Sequence, residues 1–310
     1  MQLPVKTVKN NAMKKGFKLW LMVAPFIVLT VILSYYPLYG WIYAFFDWKP
    51  PFKLFQTPFV GFHMFETLFS SPVRVKIILQ VLRNTFAISG LSILTSVLPV
   101  IFAICLSEIK VGAYKKSVQV LTTLPNFISW VMVFSMAFAL FSSNGMVNNL
   151  LMSLGVISQP IQFLTSDSHT WLAMTAWSTW KGLGYGAILY LAAMSGIDPE
   201  LYEAAKIDGA GRFRQILHIT IPGIASTYML LLLLNVANFL NNGFDQYYIF
   251  ANAFNDAHIQ VLDLYVYRLG LGQGSYSLAT AVNMMKSIVS VVMFLGMNSL
   301  SKTVRGDSIV

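Results

Sequence analysis

Six stretches of this 310-residue chain are long and apolar enough to cross a bilayer, and nothing else in it restricts the fold as much. A spanning helix needs about 20 mostly apolar residues, and in hydrocarbon its backbone polar groups must be satisfied within the segment. The stretches are Leu19–Phe46, Thr85–Leu106, Val118–Phe141, Thr170–Ala193, Pro222–Leu240 and Ser277–Leu300. They predict an all-α membrane protein with six transmembrane helices. Charged residues make up only 11% of the chain, against about 25% in soluble domains. The first stretch is too long for the apolar core of a cleaved signal peptide, about 7–15 residues, so it reads as a retained span. The polar run Asn241–Gln246 follows the fifth stretch directly and reads as backbone unwound within the membrane.

The net charge of +9 does not point to nucleic acid, because the basic residues sit in short loops beside apolar spans. With the N-terminus in the cytoplasm, thirteen Lys and Arg fall on inside loops and five on outside ones. The positive-inside rule then places both termini of this multi-pass membrane protein in the cytoplasm. The expected organisation is a cytoplasmic tail (1–18), a first span (19–46) and an extracytoplasmic segment (47–82) with an interfacial helix at Val73–Leu82. A transmembrane core (83–302) carrying a cytoplasmic elbow (195–221) follows, then a C-terminal tail (303–310).

Enzyme chemistry has no foothold. No G-x-x-x-x-G-K-[ST] phosphate loop is present, so ATP is not bound here in the P-loop manner. His63, His169, His218 and His258 are scattered singly, without a second ligand at metal spacing. Cys105 lies in an apolar run and reads as packing.

The elbow, Asp198–Pro222, is the most polar part of the second half. Asp198-Pro199 is a helix start, a capping carboxylate followed by a proline at the first helical position. Gly209 and Gly211 can end that helix, and a second short helix, carrying Phe213, Ile216, Leu217 and Thr220 near one face, should run until Pro222 interrupts it. Two short helices joined at a glycine corner between spans form a projection suited to contact with another protein.

Within it, Glu203-Ala204-Ala205, three residues, Gly209, nine residues, then Ile219-Thr220-Ile221-Pro222 resembles the EAA motif, with Ile221 in place of the usual leucine. That motif marks the membrane subunits of binding-protein-dependent ABC importers. Trp180-Lys181 with Gly184, Gly243-Phe244-Asp245-Gln246, and Tyr267-Arg268 with Tyr276-Ser277 look like the MalF/LplB-like oligosaccharide branch. The resemblance covers roughly 80–302 well and the N-terminal part loosely. It implies a six-helix type I importer permease fold with a MetI-like core. It also implies a second, related but non-identical permease subunit, two ATPase subunits and an extracytoplasmic solute-binding protein. ATP and Mg belong to the ATPase partners, and this chain itself needs no cofactor. Glu203, Ala204, Ala205, Asp208, Gly209, Arg212 and Pro222 become the candidate coupling residues. The two alanines let a partner approach the backbone, and Glu203 can meet a basic group across the contact.

For the translocation path, Asn235, Asn238 and Asn242 recur at i, i+3 and i+7 and lead into Asp245 and Gln246. A polar stripe on a membrane helix faces a neighbouring helix or a watery path. On the fourth span Trp177, Lys181, Gly184 and Tyr185 share a face, with Trp180 adjacent. Aromatic rings there offer flat faces to sugars or pack against lipid and helices. Lys181, mid-span, costs about 2.5–3.5 kcal/mol to insert. It either pairs with an acid such as Asp245 or attracts the carboxylate of an acidic, uronate-containing sugar. Import of an oligosaccharide is the resulting expectation. The alternatives are another importer branch, for maltodextrin or glycerol phosphate, and a secondary transporter.

Overall fold

A computed structural model describes residues 19–305. The tail 1–18 and the last residues, 306–310, lie outside the described residues. The helices run α1 Leu19–Phe45, α2 His63–Leu68, α3 Pro72–Ser107 and α4 Gly112–Thr123. They continue with α5 Trp130–Phe141, α6 Met146–Ser153, α7 Thr170–Ser195, α8 Pro199–Ile207 and α9 Arg212–Ala237. Three short helices, α10 Asp245–Phe250, α11 Asp256–Ile259 and α12 Leu262–Tyr267, precede α13 Tyr276–Arg305. Among the described residues there is no strand beyond one isolated bridge, Phe46 to Phe59.

Among the described residues, five helical runs are long and apolar enough to cross a membrane: Leu19–Phe45, Pro72–Ser107, Trp130–Ser153, Arg212–Ala237 and Tyr276–Ser299. The expected fourth span, α7, is 26 residues long but more polar. Its surroundings explain the difference. It packs against α3, α4 and α9, so protein rather than lipid meets much of its surface.

Three boundaries differ from the sequence expectation. The interfacial helix expected at Val73–Leu82 is the first part of α3, which is capped by Ser71, whose Oγ accepts from Arg74 N, and runs on to Ser107. The third stretch is broken: α4 stops at Thr123, a tight turn follows at Leu124–Phe127, and Ser129 caps α5 by accepting from Met132 N. Pro125 cannot donate to the preceding turn, which is why the helix ends there. Pro222, conversely, interrupts nothing. Its ring would clash with the carbonyl four residues back, at His218, and the helix widens over Ile216–Thr220 into a π turn that absorbs the conflict. The elbow is therefore one short helix, α8, followed by the first turns of a continuous α9.

The chain divides into two compact units. One comprises 19–67 with Leu269–Met284. Large apolar side chains cover α1 all round, Phe26 and Leu33 among them at 69% and 70% exposure, as suits a helix facing lipid or another subunit. Within the same unit Trp48 N donates to Ser277 Oγ at 3.0 Å, and its ring meets Tyr276 edge to face.

The other unit, Leu68–Arg268 with 285–305, includes two cores among the described residues. Ile88, Val133, Met174, Tyr247, Phe250, Ile259 and Leu264 form one, with Trp177 and Phe134 packed against it. Ala103, Ala187 and Tyr190 form the second, with Tyr228 and Leu231 alongside. Close approach of α7 to α4 depends on Gly184, where a Cβ would lie 2.3 Å from the Thr122 carbonyl oxygen.

Candidate functional site

An open cavity of about 420 Å³ lies between α3, α7 and the end of α9. Its polar wall is built from Ser89, Ser92, Thr95 and Ser96 on α3, and Thr175, Ser178 and Thr179 on α7. Asn235, Asn238, Asn241 and Asn242 complete it. Ile88, Ile93, Pro99, Leu183, Phe239 and Tyr247 add apolar surface, and no charged side chain lines it.

The asparagines reach this wall by a route that helical periodicity did not anticipate. Helix α9 ends at Ala237, and Asn238 is its cap residue, with Nδ2 donating to Leu234 O at 3.0 Å. From there the chain unwinds through Gly243 before α10 begins at Asp245. The unwound stretch is held by side chains: Ser89 Oγ donates to Phe239 O at 2.5 Å and accepts from Asn242 Nδ2 at 2.8 Å. The unwinding expected over Asn241–Gln246 thus occupies 238–243, with Asp245 and Gln246 already helical.

Other expected path residues lie elsewhere. Gln246 is buried, accepting from Ser178 Oγ at 2.6 Å and donating to Met174 O at 2.8 Å. Asp245 is exposed at the start of α10. Trp177 packs among Phe141, Trp180 and Phe250. Tyr185 and Trp180 are exposed, and Tyr185 meets Phe127 edge to face. Lys181 does not pair with Asp245. Its Nζ donates to Asn126 O at 2.6 Å and lies 5.4 Å from the centre of the Trp130 ring. It thereby satisfies a carbonyl freed by the break at Pro125, as backbone at membrane depth requires. The face of α7 carrying Lys181, Gly184 and Tyr185 packs towards the α4–α5 turn, while the cavity uses Thr175, Ser178, Thr179 and Gly182. The sequence held a usable signal for these cavity residues: Ser89, Ser92 and Ser96, like the small residues Thr175, Ser178 and Gly182, repeat at i, i+3 and i+7, the spacing of the asparagines.

At the elbow, Asp198 caps α8 by accepting from Glu200 N at 3.0 Å. The helix ends in a paired left-handed cap: Ala210 N donates to Ala205 O at 2.8 Å and Gly209 N to Lys206 O at 3.1 Å. Gly209 has φ of +76°, a conformation costly for any residue with a Cβ. Gly211 instead is extended and opens α9. Glu203, Ala204 and Asp208 are exposed, Ala205 half-buried. Ile207 and Phe213, at 87% and 77% exposure, present bare apolar side chains on either side of the corner. Tyr202 bonds Thr220 across the corner at 2.9 Å, and Arg212 Nε lies 4.0 Å from Glu108 Oε2. Pro222 sits in the first turn of the straight part of α9.

Known proteins match this arrangement over nearly the whole chain. Protein LplB of Bacillus subtilis (strain 168) is 38% identical over 94% of this chain and 90% of its own length. The polygalacturonan/rhamnogalacturonan transport system permease protein YteP of the same organism is 35% identical over 92% and 87%. A chain in the crystal structure of a bacterial alginate ABC transporter, in complex with alginate pentasaccharide-bound periplasmic protein, superimposes with a TM-score of 0.83. It is 32% identical, covering 96% of this chain and 99% of that one. The family described as binding-protein-dependent transport system inner membrane component matches residues 16–306, and this chain belongs to that family.

Proposed function

We propose that the chain forms one side of the translocation path of an ABC importer for acidic oligosaccharides, with the asparagine- and hydroxyl-lined cavity as its share of that path. The observation that carries this reading is the neutrality of the cavity wall. A fixed lysine beside the path would hold a polyanion, whereas transit requires sites strong enough to admit a substrate and weak enough to release it. Amide N–H and hydroxyl donors meet both demands, for carboxylates as well as sugar hydroxyls. The uronate character of the substrate is suggested by the relatives, one named for polygalacturonan and rhamnogalacturonan and one for alginate.

The elbow, on this reading, faces the cytoplasm and docks on an ATPase subunit, with Glu203 bonding across the contact and Ile207 and Phe213 entering apolar hollows of the partner. A second, related permease completes the path, a pair of ATPases supplies the energy, and an extracytoplasmic binding protein delivers the sugar. Lys181 is a positioning residue for the α4–α5 break rather than a substrate ligand.

The test is ATPase stimulation and uptake by the complete complex in proteoliposomes, using binding protein loaded with uronate or neutral oligosaccharides. Stimulation by uronate oligomers is expected, together with loss of uptake on replacing Asn235 and Asn238 by leucine. Stimulation by neutral maltodextrins alone would reject the substrate class. Undiminished uptake by the leucine variant would reject the path.

A further inference from the structure

Asp263 on α12 and Lys286 on α13 form an enclosed ion pair, with side chains 17% and 9% exposed. Lys286 Nζ donates to Asp263 Oδ1. Neither residue belongs to the cavity wall or the elbow. Enclosing two charges in a membrane bundle is unfavourable unless the remaining lone pairs are also satisfied. The second oxygen shows what the pair is attached to. Asp263 Oδ2 accepts from Gly243 N at 3.0 Å, at the end of the unwound stretch that carries Asn238 and Asn242. That stretch is bound to α3 by Ser89 at its other residues. One hydroxyl therefore ties the cavity wall to α3, and one carboxylate ties it to α12 and, through Lys286, to α13.

We propose that Asp263 and Lys286 are positioning residues for translocation, linking displacement of α13 to the unwound wall of the path. The proposal rests on the reading of the cavity as that path. When the ATP-driven rearrangement moves α13, the ion pair draws Gly243 with it, and the asparagine wall changes its spacing in step. Without the link, the helices still move but the wall does not follow.

The double variant Asp263→Asn/Lys286→Met separates this role from folding. It leaves no unpaired charge, and the asparagine Oδ1 can still accept from Gly243 N, so only the connection to α13 is cut. In the reconstituted complex with its partner permease, ATPases and binding protein, the variant should assemble, and sugar moved per ATP hydrolysed should fall about fivefold or more. A purely structural pair would lower transport and hydrolysis together, so an unchanged ratio overturns the proposal. If the Asn235/Asn238 leucine variant abolishes uptake while the ratio of the double variant is unchanged, the link fails and the path stands. Undiminished uptake by the leucine variant is the separate failure of the path. Should the double variant not assemble, hydrogen exchange of the Gly243 amide in the wild-type complex decides. Slow exchange that stays slow during turnover supports the link, and exchange that quickens during turnover, when the bond would have to open, overturns it.

Discussion

Replacing Gly184 by alanine tests the close approach of α7 to α4. The added Cβ would lie 2.3 Å from the Thr122 carbonyl oxygen, 2.4 Å from its carbon and 2.7 Å from Thr123 N, all backbone atoms. An ordinary carbon–oxygen contact is roughly 3.3 Å, so α7 and α4 must separate by about 1 Å. No side chain can yield in their place. Overpacking of this kind costs about 1–3 kcal/mol, and the rigid neighbours argue for the upper half. Alanine recovers about 0.5–1 kcal/mol over glycine inside a helix, leaving a net loss of about 2 kcal/mol, a change of roughly thirtyfold in the folded population. The displacement would also stretch the Lys181–Asn126 bond, one turn away and 2.6 Å long. Gly182, two residues earlier, is an internal control, since nothing lies within 4 Å of a Cβ there. Thermal unfolding of the detergent-purified complex should show a clear drop in Tm for Gly184→Ala and none for Gly182→Ala. Equal stability of Gly184→Ala and wild type, or an equal loss in both variants, would refute the close-approach argument.

Lys181→Met should leave Asn126 O without its donor and lower stability by about 1–3 kcal/mol, with uptake of neutral and uronate sugars reduced in the same proportion. A loss confined to uronate sugars would put Lys181 on the substrate instead. Gly209→Val forces a β-branched residue into the left-handed cap at about 1–2 kcal/mol or more; less ATPase should copurify, while unaltered copurification would show that the corner tolerates distortion. Glu203→Lys should abolish copurification, since truncating or reversing a desolvated, paired charge costs about 2–5 kcal/mol; intact transport would remove Glu203 from the contact. Ser92→Phe fills the cavity from α3 and should block uptake in a complex that still assembles, a result checked by size-exclusion yield alongside transport.

The local features of the elbow were legible because short-range chemistry decides them. Asp198 before Pro199 caps a helix in any setting, and Gly209, separated by three residues from the Glu-Ala-Ala run, sits where a left-handed cap is needed. Lipid made the spans legible in the same way, since length and apolarity alone identify α1, α3, α9 and α13. Trouble began where helices break inside the bundle. Pro125 and Pro222 look alike in sequence, yet the first ends α4 and the second is carried within α9, because a π turn absorbs it and Tyr202 bonds Thr220 in that turn.

Composition and spacing by themselves determined that this is a helical membrane protein, and the motif spacing identified its kin. Which residues meet across the bundle was decided only by the tertiary structure. Lys181 answers to a carbonyl 55 residues earlier, Gly243 to a carboxylate 20 residues later, and Asn242 to a serine 153 residues back. Polar groups freed by unwinding must find partners wherever the fold brings them, and periodicity within one helix carries no information about the neighbour that supplies them.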